Sequence, residues 1–142
     1  MDSRRAERLT AICQEYNVII LYVFGSRAQE VRAWLLHEQT ELASNGSDID
    51  IGVKRPPHCR WDVQSKVDMA LALEDFLGCS SVDLVALEDA DPFLAANIIR
   101  GERLYAENAH AADEYDLYVL RRAGDLAPLE RERIALILDA GP

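Results

Sequence analysis

The chain has 142 residues, 49% of them hydrophobic, which is enough apolar material for one domain with its own core. A net charge of -10 and a pI of about 4.7 argue against a nucleic-acid backbone as the main partner and, without a basic template groove, against a polymerase role. No stretch approaches the roughly 20 apolar residues of a membrane helix, and Met1-Asp2-Ser3-Arg4-Arg5 opens no signal peptide, so a cytoplasmic protein without a membrane partner is expected.

Residues 3 to 16 predict a helix, with Leu9, Ile12, Cys13 and Tyr16 at helical spacing and Asn17 as a left-handed stop. The β-branched and aromatic run from Val18 to Phe24 predicts a buried strand that ends at Gly25. Helical spacing returns over 29 to 44, where Val31, Trp34, Leu35 and Leu42 form an amphipathic segment, and Ser44-Asn45-Gly46-Ser47 is a turn. From Asp48 to Val53 the sequence alternates, placing Asp48 and Asp50 on one face of a strand and the isoleucines on the other. Pro56-Pro57 stops that strand.

A helix is expected over 61 to 77, with Val63, Val67, Ala70, Leu71, Leu73 and Leu77 facing inward, Trp61 in the core and Gly78 as the stop. Val82 to Leu87 reads as a third strand, and Asp91-Pro92 as a capped helix start. That helix runs to Gly101 and leads to a short edge strand over 103 to 106. Segments 112 to 122 and 128 to 140 predict two further helices forming a tail. Cys13, Cys59 and Cys79 are odd in number and lack metal-ligand spacing, which fits reduced thiols; His37, His58 and His110 are scattered and suggest no zinc site.

The chemistry-bearing residues converge on this plan. A strand-helix-strand unit over 48 to 87 favours parallel strands joined by a right-handed crossover, which puts Asp48, Asp50 and Asp83 at one sheet edge. An antiparallel strand 18 to 24 brings Gly25 and Ser26 to the same edge. Clustered carboxylates raise one another's pKa, and a divalent cation removes that penalty. Magnesium takes hard oxygen ligands shared with substrate phosphates, and two such ions can position a triphosphate for attack. Glycine admits phosphates close to the backbone, where Ser26 and nearby amides donate hydrogen bonds. Arg27 either reaches the triphosphate or is a solvated arginine; Ser47 either orients Asp48 or merely forms the turn. Trp34 and Leu35 read as packing residues, and Glu88-Asp89-Asp91 as a solvated loop and helix N-terminus.

Val23-Phe24-Gly25-Ser26-Arg27, Ser47-Asp48-Ile49-Asp50-Ile51, Val82-Asp83-Leu84-Val85 and Ile98-Ile99-Arg100-Gly101-Glu102-Arg103-Leu104-Tyr105 resemble a minimal nucleotidyltransferase of the DNA polymerase β superfamily. The resemblance is strongest to the MntA-type adenylyltransferase antitoxins, which are paired with HEPN ribonuclease toxins. It implies an α/β (α+β) palm-like fold: a small mixed sheet flanked by helices, occupying residues 1–106, with 107–142 as a helical extension packed on it. It also implies Mg2+ and ATP, with transfer of AMP to a tyrosine hydroxyl of a HEPN-type toxin. By motif position, Gly25 and Ser26 serve the triphosphate, Asp48 and Asp50 the metals, and Asp83 is the third carboxylate, assisting deprotonation of the nucleophile. Positions 27 to 47, 21 residues between Ser26 and Asp48, exceed the usual spacer and mark 29–46 as a helical insertion. A non-catalytic antitoxin acting by binding, and a small-molecule nucleotidyltransferase, are the competing expectations.

Overall fold

A computed structural model describes residues 4–37, 42, 48–79 and 81–139, with side chains described as far as residue 124. Its elements in chain order are α1 (Arg4–Glu15), β1 (Ile20–Phe24), α2 (Ala28–Leu35), β2 (Ile49–Lys54), α3 (Val63–Leu77), β3 (Val82–Ala86), a 3-10 turn (Leu87–Asp89), α4 (Pro92–Ile99), β4 (Glu102–Ala106) and α5 (Ala109–Asp139). The four strands form one mixed sheet in the order β3-β2-β1-β4. β1 runs antiparallel to both neighbours, while β2 and β3 are parallel through the α3 crossover.

Helices cover both faces of the sheet, so β1 is apolar at every position. Leu21 and Val23 meet a core built with Leu9 and Cys13 of α1, Val31 and Trp34 of α2, and Met69, Leu73 and Phe76 of α3. Ile20, Tyr22 and Phe24 face the other way, against Ala95, Ala96 and Ile98 of α4 and Ala112, Val119 and Ala123 of α5. Strand alternation thus feeds two cores from five residues. Gly52 of β2 belongs to the second face, where a Cβ would stand 2.5 Å from Cγ2 of Ile98; the missing side chain lets α4 lie directly on the sheet.

Local punctuation matches the sequence expectations. Asn17 sits in the left-handed region at φ 56° after α1, and Gly78 at φ 69° caps α3. Asp91 caps α4 through hydrogen bonds from the Phe93 and Leu94 amides, with Pro92 in the first turn. α5 is pinned to the sheet by a polar cluster: the Tyr22 hydroxyl donates to Asp116, and Arg103 bonds Asp113 at 2.9 Å and Asp116 at 3.1 Å.

Four expectations are corrected. The inward face of α3 is Met69, Leu73, Phe76 and Leu77, whereas Val63, Val67 and Leu71 are exposed. The helix carries two apolar stripes, and the one with methionine and the aromatic ring takes the core. Trp61 is half-buried at the rim, under the Arg55 guanidinium, before α3 begins rather than inside the core. The helix expected over 29 to 44 spans Ala28–Leu35 and closes in a turn at Leu36 and His37; its remaining stretch falls mostly outside the described residues. The tail is one continuous helix over Ala109–Asp139, not two segments, because Gly124 and Pro128 do not interrupt the backbone.

Candidate active site

One sheet edge collects the C-terminal end of β1 and the N-terminal ends of β2, β3 and β4. Asp50 is the register partner of Phe24 on one side and of Asp83 on the other. Both carboxylates therefore stand on the α4 face of the sheet, one strand apart, and Asp48 lies exposed two residues before Asp50. Gly25 follows Phe24 with φ 81°, and a Cβ built on it would lie 2.5 Å from Oδ2 of Asp50. The glycine both makes the turn out of β1 and leaves room for the carboxylate.

Partial burial and then the charges of Asp83 and Asp48 push the Asp50 carboxyl above its ordinary pKa. Burial contributes most to this shift, and the two neighbouring acids add to it. Among the described residues no three His, Cys, Asp or Glu side chains form a group that could hold a metal ion; Asp50 and Asp83 are the pair that the strand register sets side by side. The donors are hard oxygens of like charge, open on one side, which suits magnesium: that ion takes one or two carboxylates and completes its shell with water and substrate phosphates.

Beside the acids, α2 starts at Ala28 with no side chain capping its N-terminus, next to Gly25 and Ser26. The Ala28 amide bonds the Gly25 carbonyl at 3.3 Å, and the positive end of the helix dipole still favours an anion there. A cavity of about 410 Å³ opens there, lined by Gly25, Ser26, Ala28 and Gln29 on one wall and by Asn97, Arg100, Gly101 and Glu102 on the other. Arg27 is not solvated, and it is not among the residues that line this cavity. It is buried and forked onto Glu30 at 2.9 and 3.3 Å, and the Glu30 hydrogen bond raises its pKa. Ser47 lies outside the described residues.

Sequence reasoning assigned no role to Gln29, Asn97 or Arg100. The α4–β4 wall comes from some 70 residues further along the chain than Gly25. Its one legible mark is Gly101, whose Cβ would meet the Val23 carbonyl oxygen at 2.4 Å.

With this site and fold in view, the comparisons define the class. The family model described as polymerase beta, nucleotidyltransferase matches residues 7–110, and the chain belongs to that family. Among solved structures it is similar to a toxin–antitoxin crystallised with AMP-PNP: 22% identity, TM-score 0.67, covering 94% of this chain and 96% of the other. It is also similar to a chain from the complex of a tri-AMPylated Shewanella oneidensis HEPN toxin with its MNT antitoxin: 20% identity, TM-score 0.63, 98% of each chain. A minimal nucleotidyltransferase aligns at 25% identity and TM-score 0.51, over 72% of this chain and 94% of that one. No match was found among curated proteins. None of the described helices is long and apolar enough to cross a membrane.

Proposed function

We propose that this protein is an antitoxin enzyme that transfers AMP from ATP to a tyrosine hydroxyl of a partner HEPN ribonuclease toxin and thereby silences it in the cytoplasm. The observation that carries the reading is the meeting of Asp50, Asp83 and Gly25 at one sheet edge beside an uncapped helix start. Family membership supports the reaction class. Similarity to antitoxin complexes over nearly the whole of both chains supports the partner.

In the reaction, the tyrosine oxygen attacks the α-phosphorus of ATP. A new O–P bond forms, the bond from that phosphorus to the β-phosphate bridging oxygen breaks, and pyrophosphate leaves with the bonding electrons. Asp48, Asp50 and Asp83 would hold Mg2+, which when bound neutralises phosphate charge and their mutual repulsion. Asp83, at the outer strand, assists removal of the tyrosine proton. Gly25 lets the phosphates approach the backbone, while the Ser26 hydroxyl and neighbouring amides donate to them. The protein's task is mainly positioning and charge neutralisation.

The test incubates the protein with labelled ATP, magnesium and the HEPN-type product of the adjacent gene. Label on a tyrosine of that partner, lost with Asp48→Asn/Asp50→Asn, is the expected result. Full neutralisation of the partner by that double variant would show instead that binding alone silences it.

A further inference from the structure

We propose that Arg100, not Arg27, is the cation that holds the pyrophosphate portion of the nucleotide. The inference rests on the nucleotidyltransferase reading above and adds to it a phosphate-binding residue from the far wall of the cleft. The acids mark where the α-phosphorus reacts; across the sheet edge the order is Asp83, Asp50, Gly25 and then the α4–β4 turn that carries Arg100. A triphosphate whose α-phosphate sits by the carboxylates and whose chain passes over Gly25 and Ser26 therefore runs toward Arg100.

Three further observations support the placement. Arg100 closes α4 with helical backbone angles, its amide bonded to the Ala96 and Ile98 carbonyls, so its Cα is anchored although its side chain is exposed. The following Gly101 lies against the Val23 carbonyl so tightly that no side chain fits, which fixes the turn against the end of β1. Among the residues lining the cavity Arg100 is the one cation, and among the described residues its side chain makes no hydrogen bond or ion pair. The one anion of the lining, Glu102, is engaged by Arg32 at 3.4 Å.

Arg27 stands in contrast, with its guanidinium on Glu30. In a chain of net charge -10 a local cation favours the part of a triphosphate that lies away from the carboxylates, and a guanidinium suits a phosphate through paired hydrogen bonds.

The test is calorimetric titration, with magnesium present, of wild type, Arg100→Ala and Arg100→Lys using three probes: a non-hydrolysable ATP analogue, pyrophosphate and AMP. For Arg100→Ala we expect affinity for the analogue and for pyrophosphate to fall about 10-fold or more, AMP to change by less than about twofold, and thermal stability to hold, because a charged hydrogen bond is lost from an exposed side chain. Arg100→Lys should recover part of the loss. Unchanged affinity for pyrophosphate, or an equal loss for AMP, would overturn the assignment to Arg100 while leaving the enzyme reading intact. A wild type that binds none of the three probes would instead remove the enzyme reading, and this inference with it.

Discussion

The carboxylate of Asp50 occupies the space that a side chain on Gly25 would need, with Oδ2 only 2.5 Å from where that Cβ would be. Gly25→Ala therefore meets two costs at once. The residue holds φ 81°, where an L side chain costs about 1–2 kcal/mol, and its methyl displaces the acid. We expect transfer to fall on the order of 100-fold, as a shift of about 1 Å in a reacting group can cause, with a lower Tm. Activity within about twofold of wild type would show that Asp50 has freedom to move.

Asp50 also links the site to stability. Folding raises its pKa, so the folded state holds the proton more tightly than the unfolded chain does. The carboxyl is neutral, and harmless to folding, below its ordinary value of 3.8; as pH rises through the folded value, its ionisation disfavours the fold. Asp50→Asn should therefore raise the Tm of the metal-free protein at neutral pH, with little difference at pH 3. Each kcal/mol so recovered corresponds to about 3–6 °C for a domain of this size. Magnesium should stabilise the wild type and leave Asp50→Asn nearly unmoved. A metal-free variant less stable than wild type would contradict the cost of burying this carboxyl beside two other acids.

Asp83 is exposed at the mouth of β3 and partners Asp50 across the parallel pair. Its proposed work is on the acceptor's proton more than on the nucleotide. Asp83→Asn should abolish measurable AMP transfer, a loss of at least about 100-fold for a proton acceptor, while ATP-analogue affinity stays within about threefold. If binding of the analogue disappears as well, Asp83 is chiefly an anchor for the metal.

How far these relationships were legible depends on sequence distance and on competing patterns. The Asp-Ile-Asp alternation, the break at Gly25 and the crossover over 48 to 87 follow from local rules, and together they placed Gly25, Asp50 and Asp83 at one edge. The far wall of the cavity did not follow, because Arg100 reaches Ser26 only through the pairing of β4 with β1. α3 was misread because Val63, Val67 and Leu71 fall at helical spacing just as Met69, Leu73 and Leu77 do. Only packing against Trp34, whose ring meets Phe76 edge-on at 5.1 Å, decides between the stripes. The tail, expected as two helices over 112 to 122 and 128 to 140, is a single one that runs through Pro128, although a proline inside a helix costs about 3 kcal/mol.

The attachment of α5 offers a graded test. Arg103 holds Asp113 and Asp116, and Asp116 also accepts from the buried Tyr22 hydroxyl. Tyr22→Phe removes one donor while Arg103 still serves the carboxylate, a loss of about 0.5–1.5 kcal/mol. Arg103→Ala leaves Asp116 without its charge partner and should cost more, about 1.5–3 kcal/mol. Urea unfolding of both variants measures the difference. Equal effects would mean that the arginine adds nothing beyond the hydroxyl.

Gly52 tests how closely the sheet and α4 are fitted. Its absent side chain makes room for the Cγ2 methyl of Ile98, which is attached directly to a stiff β-branched carbon and so cannot swing aside. Gly52→Ala should destabilise by about 1–3 kcal/mol through overpacking, with a parallel loss of activity because Arg100 closes the same helix. The second-site response is specific. Ile98→Val keeps Cγ2 and should not relieve the clash. Ile98→Ala removes it, so although that change alone costs about 2–5 kcal/mol, the double variant should be more stable than the sum of the two single losses predicts. Additive losses in chemical denaturation would mean that the helix shifts as a body, and that the Gly52–Ile98 fit does not set its distance from the sheet.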